Sequence, residues 1–322
     1  MKELRVGLVP AADENTASSR IRVYTLARSL TRMGIDVRLE WSEDRHIVVF
    51  QKHLDNERMA SARRARELGQ TVVYDVDDLE ESLWWWTPQE LLEEMIALAD
   101  SVVTATEEQR KIVVRRYAPR ATAVVPCAAD YYPTLPTRPV PNSGDSLRVI
   151  WFGNNSNFHL LDHYLSTLMG LDNVEPVIVI DERAARRLAT RHARGEFVAW
   201  SNSTFVPVLQ SCHLSCLMHD GSPADRAKSN TRMVTSIVWG VPALVSRTPE
   251  YERTALEAGV PDAIFDGAAG VPSAIERFRS DAVRLDYLDR AQGQIWSRYS
   301  PDAVASCYLR VLEAAHSRCQ TV

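Results

Sequence analysis

Cysteine is scarce in this sequence: five residues in 322, an odd number, which excludes a disulfide framework. Long apolar runs are missing too. None approaches the roughly 18 residues a membrane-spanning helix needs, and the run within Met1–Pro10 is too short for a signal-peptide core and reads as a first strand. Basic charge is not in excess. The formal net charge is −5, so no global field favours nucleic acid. No short-period repeat or low-complexity tract occurs, and no G-x-G-x-x-G follows either of the strands that open the two halves, which argues against a dinucleotide oxidoreductase. A cytoplasmic, reduced protein is the expectation.

What is present describes a soluble globular chain, with 45% hydrophobic and 25% charged residues. Its length implies two domains of roughly 150 residues each. Strands and helices alternate throughout. Strands are expected at 4–9, 35–39, 46–50, 71–74, 101–104 and 121–125, then at 147–152, 174–180, 197–200, 214–218, 243–245 and 263–265. Helices fill the intervals, among them 55–68 ending at Gly69, 107–117, 158–169 and 182–191. Such alternation means parallel, doubly wound α/β sheets. Pro133, Pro136, Pro139 and Pro141 stiffen a linker at 132–146. It separates an N-terminal domain, 1–131, from a second domain, 147–300, with a last helix over 301–318 that is expected to pack back on the first. Ligands in such sheets bind beyond the C-terminal strand ends. The polar loops at 10–22, 75–78, 153–157 and 220–230 all follow strands, so they are expected to converge on one cleft between facing domains.

The stretch Asp220–Ser246 carries the clearest chemistry. A polar loop with Arg226 and Lys228 leads into a helix whose start holds Ser229 and Asn230, and Gly240-Val241-Pro242 stops it. Free N–H groups at a helix start, with cations beside them, make an anion site, and Ser229 or Asn230 is the expected cap. His219, ending the preceding strand beside this loop, is a candidate for contact with a bound anion, against a satisfied core histidine. Asp75, Asp77 and Asp78 suggest strand-end contacts with a ligand, one carboxylate orienting a hydroxyl or taking its proton; a bound cation is the weaker reading. Cys212, His213, Cys216 and His219 do not have the spacing of a common zinc module, so no metal is expected. Trp84, Trp85 and Trp86 suggest an acceptor wall, a membrane-interface contact or a partner surface. The arginine-rich run 183–194 reads as a solvated helix face, with peripheral attraction to anionic membrane as the alternative.

Taken together, these segments resemble the GT-B glycosyltransferases, in particular the retaining family 4. Ser19-Arg20-Ile21-Arg22 before Gly34 is similar to that family's first loop and helix, and Val72-Val73-Tyr74-Asp75-Val76-Asp77-Asp78 to one of its strand ends. Phe152-Gly153-Asn154-Asn155 resembles the first loop of its donor domain. The helix from Lys228-Ser229-Asn230 to Trp239, followed by Gly240-Val241-Pro242-Ala243, resembles its donor-phosphate helix and next strand. The resemblance implies two facing Rossmann-like domains with a cleft between them, and a glycosyltransferase that takes a nucleotide-diphosphate sugar as co-substrate and needs no other cofactor. It implies donor contacts at Asn154, Asn155, Trp200, Ser201, Arg226, Lys228, Ser229, Asn230, Arg232 and Thr235. It implies acceptor contacts at Ser19, Arg20, Arg22, Trp84 and Trp85, and catalytic roles for Lys228, Asp77, Asp78 and His219. Two departures stand out. Thr235 occupies the position of the family's ribose-gripping glutamate, and Ser18-Ser19 replace its paired glycines. A nucleotide-sugar epimerase of the same fold and a non-catalytic nucleotide-sugar-binding protein are the alternatives.

Overall fold

The structure, a computed structural model, describes residues 4–77, 87–134, 137–142, 144, 146–154 and 158–320. All twelve expected strands form, and they divide between two compact units. The first unit comprises residues 1–128, 227–229 and 299–322, and the second 129–226 and 230–298.

In the first unit, β1 (Arg5–Val9), β2 (Asp36–Arg38), β3 (Ile47–Gln51), β4 (Thr71–Val76), β5 (Ser101–Thr104) and β6 (Thr122–Val124) form a parallel sheet in the order β2-β1-β3-β4-β5-β6. Because successive strand residues point to opposite faces, β3 feeds two cores. Ile47 and Val49 join one with Val73, Val103 and helix Thr25–Arg32. Val48 and Phe50 join the other with Val72, Tyr74, Met59 and Met95. Both faces being apolar explains why β3 reads as the unbroken run Ile-Val-Val-Phe. Helix Pro301–Gln320 belongs to this unit and adds Val304, Ala305, Tyr308, Leu312 and Ala315 to the first core, at the three- and four-residue spacing of one helix face.

The second unit repeats the plan. Its strands β7 (Leu147–Phe152), β8 (Val174–Ile180), β9 (Glu196–Ala199), β10 (Leu214–Leu217), β11 (Ala243–Ser246) and β12 (Ile264–Phe265) form a parallel sheet in the order β12-β11-β10-β7-β8-β9. The order reverses between β7 and β10, as it does between β1 and β3 in the first unit. The proline-rich segment is not a bare spacer. It lies along the second unit, where Thr137 Oγ1 donates to the Val238 carbonyl, Gln292 Nε2 donates to the Thr137 carbonyl at 2.8 Å and Arg138 pairs with Asp289. Gly240 makes that fit possible: it stops helix Thr231–Val238 at φ +79°, and a Cβ there would lie 2.8 Å from the carbonyl oxygens of Thr137 and Arg138. Among the described residues, no helix is long and apolar enough to cross a membrane.

Candidate functional site

The point where strand order reverses in an open parallel sheet leaves a crevice at the C-terminal strand ends. In the second unit that point falls between the residues after β7 and those after β10, and a polar cluster occupies it. His219, two residues beyond β10, is held by its backbone from two sides: its N–H donates to Ser246 Oγ at 2.8 Å, and its carbonyl accepts from Tyr164 Oη at 3.3 Å. Its ring packs 5.3 Å, centroid to centroid, from Tyr251. Nδ1 stands 3.1 Å from Asp225 Oδ2, with the two side chains only 3% and 6% exposed. On the other side, Arg232 Nη2 donates to His219 Nε2 at 2.9 Å, while Arg232 Nη1 donates to the Phe152 carbonyl at 3.3 Å. Arg232 therefore bridges the end of β7 to the loop after β10.

Asp225 is organised by its own loop. Its amide donates to Ser222 Oγ at 3.2 Å, and its carboxylate accepts from the Asp220 amide at 2.9 Å. Burial opposes its charge, but His219 and the Asp220 amide outweigh that and hold its pKa well below the ordinary carboxylate range.

Asn230, expected to cap helix Thr231–Val238, does not: its side chain caps nothing there and instead donates to Thr254 Oγ1 at 2.7 Å. The ψ of 9° at Asn230 is not the extended conformation from which a side chain turns back onto the helix amides. Thr235, expected among the donor contacts, is 1% exposed, and its Oγ1 accepts from the Asp130 amide at 2.9 Å. That hydroxyl serves the chain's own backbone. Lys228 and Ser229 are half-buried and group with the first unit; Arg226 and Asn154 are exposed. Trp200 is half-buried and extends β9, its amide donating to the Ile180 carbonyl. Ser201 Oγ sits 2.8 Å from Thr204 Oγ1 and accepts from the Thr204 amide, so it shapes the turn into helix Phe205–Gln210.

The first unit's reversal point is closed by a different network. Gln51, at the end of β3, accepts with its Oε1 from Ser19 Oγ and from the Ala11 amide, both at 3.0 Å. Ser19 Oγ in turn accepts from the Ala12 amide. Ser19, expected among the acceptor contacts, is a buried pin for the loop after β1. Arg20 is 5% exposed and turns back on that loop, donating to the carbonyls of Glu14 and Asn15.

Arg22, also expected among the acceptor contacts, is paired inside the fold. Its Nε donates to Asp75 Oδ1 at 2.7 Å and its Nη2 to Asp75 Oδ2 at 2.9 Å, and both side chains are 2% exposed. Nη1 donates to the Val125 carbonyl, and Tyr308 Oη donates to Asp75 Oδ2 at 2.6 Å. Burial works against the Arg22 charge, yet the Asp75 carboxylate more than offsets it and raises the guanidinium's pKa above its ordinary value. Burial and then Asp75 push the Tyr308 phenol up as well. Asp75 lies inside β4, not beyond its end, which is why it faces the core. Asp77 does follow the strand; its Oδ1 is 3.8 Å from Lys52 Nζ. Tyr308 is a member of this corner that the sequence reading missed, and so is Lys52, which follows β3 at φ +53°. Its signal was its place directly after a strand.

Asp78, Trp84, Trp85, Trp86 and Asn155 lie outside the described residues. Among the described residues, no three His, Cys, Asp or Glu side chains gather as a metal site. Cys212 and Cys216 are buried in the second unit's core, and burial pushes their thiols up to about 11 and about 12. His213 Nδ1 accepts from the Arg148 amide.

No family model matches the chain, and no curated protein matches it by sequence. Solved structures do. A glycosyltransferase from Rickettsia africae ESF-5 is similar over 98% of this chain and 99% of its own, with a TM-score of 0.67 and 9% identity. The Thermobaculum terrenum O-GlcNAc transferase, as a K341M mutant, matches over 99% of this chain and 69% of its own, with a TM-score of 0.61 and 12% identity. The E. coli trehalose-6-phosphate structure bound with UDP-2-fluoro glucose covers 90% of this chain and 76% of its own, at 0.60 and 12%. The fold is the GT-B glycosyltransferase fold. At these identities the likeness is one of fold.

Proposed function

We propose that this chain is a glycosyltransferase that moves a sugar from a nucleotide-diphosphate sugar to an acceptor hydroxyl, with retention. The observation that carries the reading is the likeness of fold along the whole chain to the Rickettsia glycosyltransferase, from end to end of both. On this reading the second unit binds the donor and the first unit the acceptor. Charge accumulates on the diphosphate as the glycosidic bond breaks, and donors already fixed in place stabilise it at the least cost in reorganisation. Arg232, anchored at the second sheet's reversal point, and Lys228 are the cations for that task, with the opening amides of helix Thr231–Val238. They take the place of a metal. Asn154, Trp200 and Ser201 follow β7 and β9 on the same sheet and line the donor. Asp77, at the end of β4, orients the acceptor hydroxyl or receives its proton. Thr235 leaves ribose recognition to groups outside that helix.

The test is thermal unfolding with UDP-, GDP-, ADP- and dTDP-sugars, because a ligand that binds only the folded state raises its apparent stability. One nucleotide class is expected to raise the unfolding temperature, with Lys228→Ala and Arg232→Ala each losing that response. A flat response across all four classes overturns the proposal.

A further inference from the structure

We propose that His219 is a positioning residue: its ring carries the proton on Nδ1, facing Asp225, and presents Nε2 as the acceptor that aims the Arg232 guanidinium at the donor diphosphate. The inference rests on the donor-binding function proposed for the second unit and names how its principal cation is held.

The tautomer follows from donor arithmetic. A guanidinium has five N–H groups and no acceptor. The 2.9 Å contact between Arg232 Nη2 and His219 Nε2 therefore needs a lone pair on Nε2, which assigns the ring's one proton to Nδ1. Nδ1 is the nitrogen 3.1 Å from Asp225 Oδ2, a carboxylate that accepts and does not donate. The polarity of the chain is consistent from end to end: an acceptor-only carboxylate stands at ion-pair distance from Nδ1, and Nε2 accepts from Arg232. A doubly protonated ring would instead set an N–H against a cation.

The surroundings hold this arrangement in place. His219 and Asp225 are almost fully buried, so water does not compete for either partner. The ring's backbone is clamped by Ser246 and Tyr164, and Tyr251 packs against the ring itself. The Phe152 carbonyl fixes the second end of the guanidinium, while the Arg232 side chain remains half-buried rather than enclosed. A cation held at two points by uncharged acceptors keeps its full charge for an incoming anion. A carboxylate in the place of His219 would neutralise it, and with an apolar side chain there the long arginine would lose its direction. Second-row support of this kind is what makes a binding group rigid.

The experiment has two arms. In protein labelled with 15N-histidine, the His219 ring is identified by the signal that His219→Gln removes. The expected result is a protonated Nδ1 and a bare Nε2, with the proton staying on Nδ1 in Arg232→Met because Asp225 still faces it. A wild-type ring protonated on Nε2 overturns the relay whatever the protein binds. In the second arm, binding of UDP-glucose and GDP-mannose is measured by calorimetry. His219→Ala is expected to weaken the sugar nucleotide that binds by about tenfold, the scale of one hydrogen bond to a charged group. His219→Gln keeps an amide oxygen for Arg232 and an N–H for Asp225, and is expected to stay within about threefold of wild type. Equal loss in the Ala and Gln variants overturns the positioning role. If neither sugar nucleotide binds the wild type, the donor-binding function fails with those sugars, and the tautomer alone decides whether the relay exists.

Discussion

Replacing Arg22 with methionine asks whether the buried Arg22–Asp75 pair is part of the fold or part of a site. Methionine fills most of the arginine's length, but it removes two of the three hydrogen bonds described to the Asp75 carboxylate and leaves that 2% exposed group to Tyr308 Oη. Breaking a buried ion pair by removing one partner costs about 3–5 kcal/mol, because the remaining charge is stranded. In a unit of this size each kcal/mol moves the unfolding temperature by roughly 2–4 °C, so a fall of roughly 6–20 °C is expected. Tyr308→Phe removes one hydrogen bond to a charged group and is expected to cost about 1.5–3 kcal/mol. Because Tyr308 is on the final helix, its loss is also expected to loosen that helix's amide protection before the rest of the unit. A triple variant, Arg22→Met, Asp75→Leu and Tyr308→Phe, leaves no buried charge and is expected to recover much of the loss. Calorimetric unfolding and urea titration measure all three. A loss below about 1 kcal/mol for Arg22→Met, the size of an exposed pair, would refute the structural assignment and return Arg22 to the acceptor site.

The remaining predictions follow from burial and charge. Cys212 and Cys216, with thiols raised to about 11 and about 12, are expected to resist iodoacetamide in the native protein and react only on unfolding, while half-buried Cys307 and Cys319 react first; mass spectrometry reads the order. Asp225 has a folded pKa below its unfolded one, so its contribution is complete above the ordinary carboxylate range and is lost only as pH falls through the folded value. The stability difference between wild type and Asp225→Asn is therefore expected not to fall between about pH 7 and about pH 5, and to shrink only in stronger acid; a decline within that window contradicts the pairing. Gly240→Ala sets a Cβ against two carbonyl oxygens at 2.8 Å and a positive φ, and is expected to cost about 1–3 kcal/mol in chemical unfolding.

Much of the fold was legible because period and punctuation agree with it. The apolar runs Ile47–Phe50 in β3 and Val149–Phe152 in β7 and the stops at Gly34, Gly69 and Gly240 mark elements that local chemistry determines. The site was legible only by neighbourhood. His219, Arg232 and Lys228 stand out along the chain, but nothing local says that Arg232 reaches back to Phe152, eighty residues earlier, or that Asp225 lies under His219. Nor does spacing reveal that Arg22 and Asp75, each placed by a strand-end pattern, meet each other and Tyr308 across the core. Asn230 shows the same limit: its residue type is that of a helix cap, and tertiary packing against Thr254 takes its side chain elsewhere.

The most direct measurement is the product. The protein is incubated with the sugar nucleotide that most stabilises it and a panel of hydroxyl acceptors, and the mixture is followed by NMR. Release of the nucleotide diphosphate together with a glycoside of the same anomeric configuration as the donor is the predicted result. An isomerised donor with no glycoside, or a bound donor left unchanged with every acceptor, contradicts it.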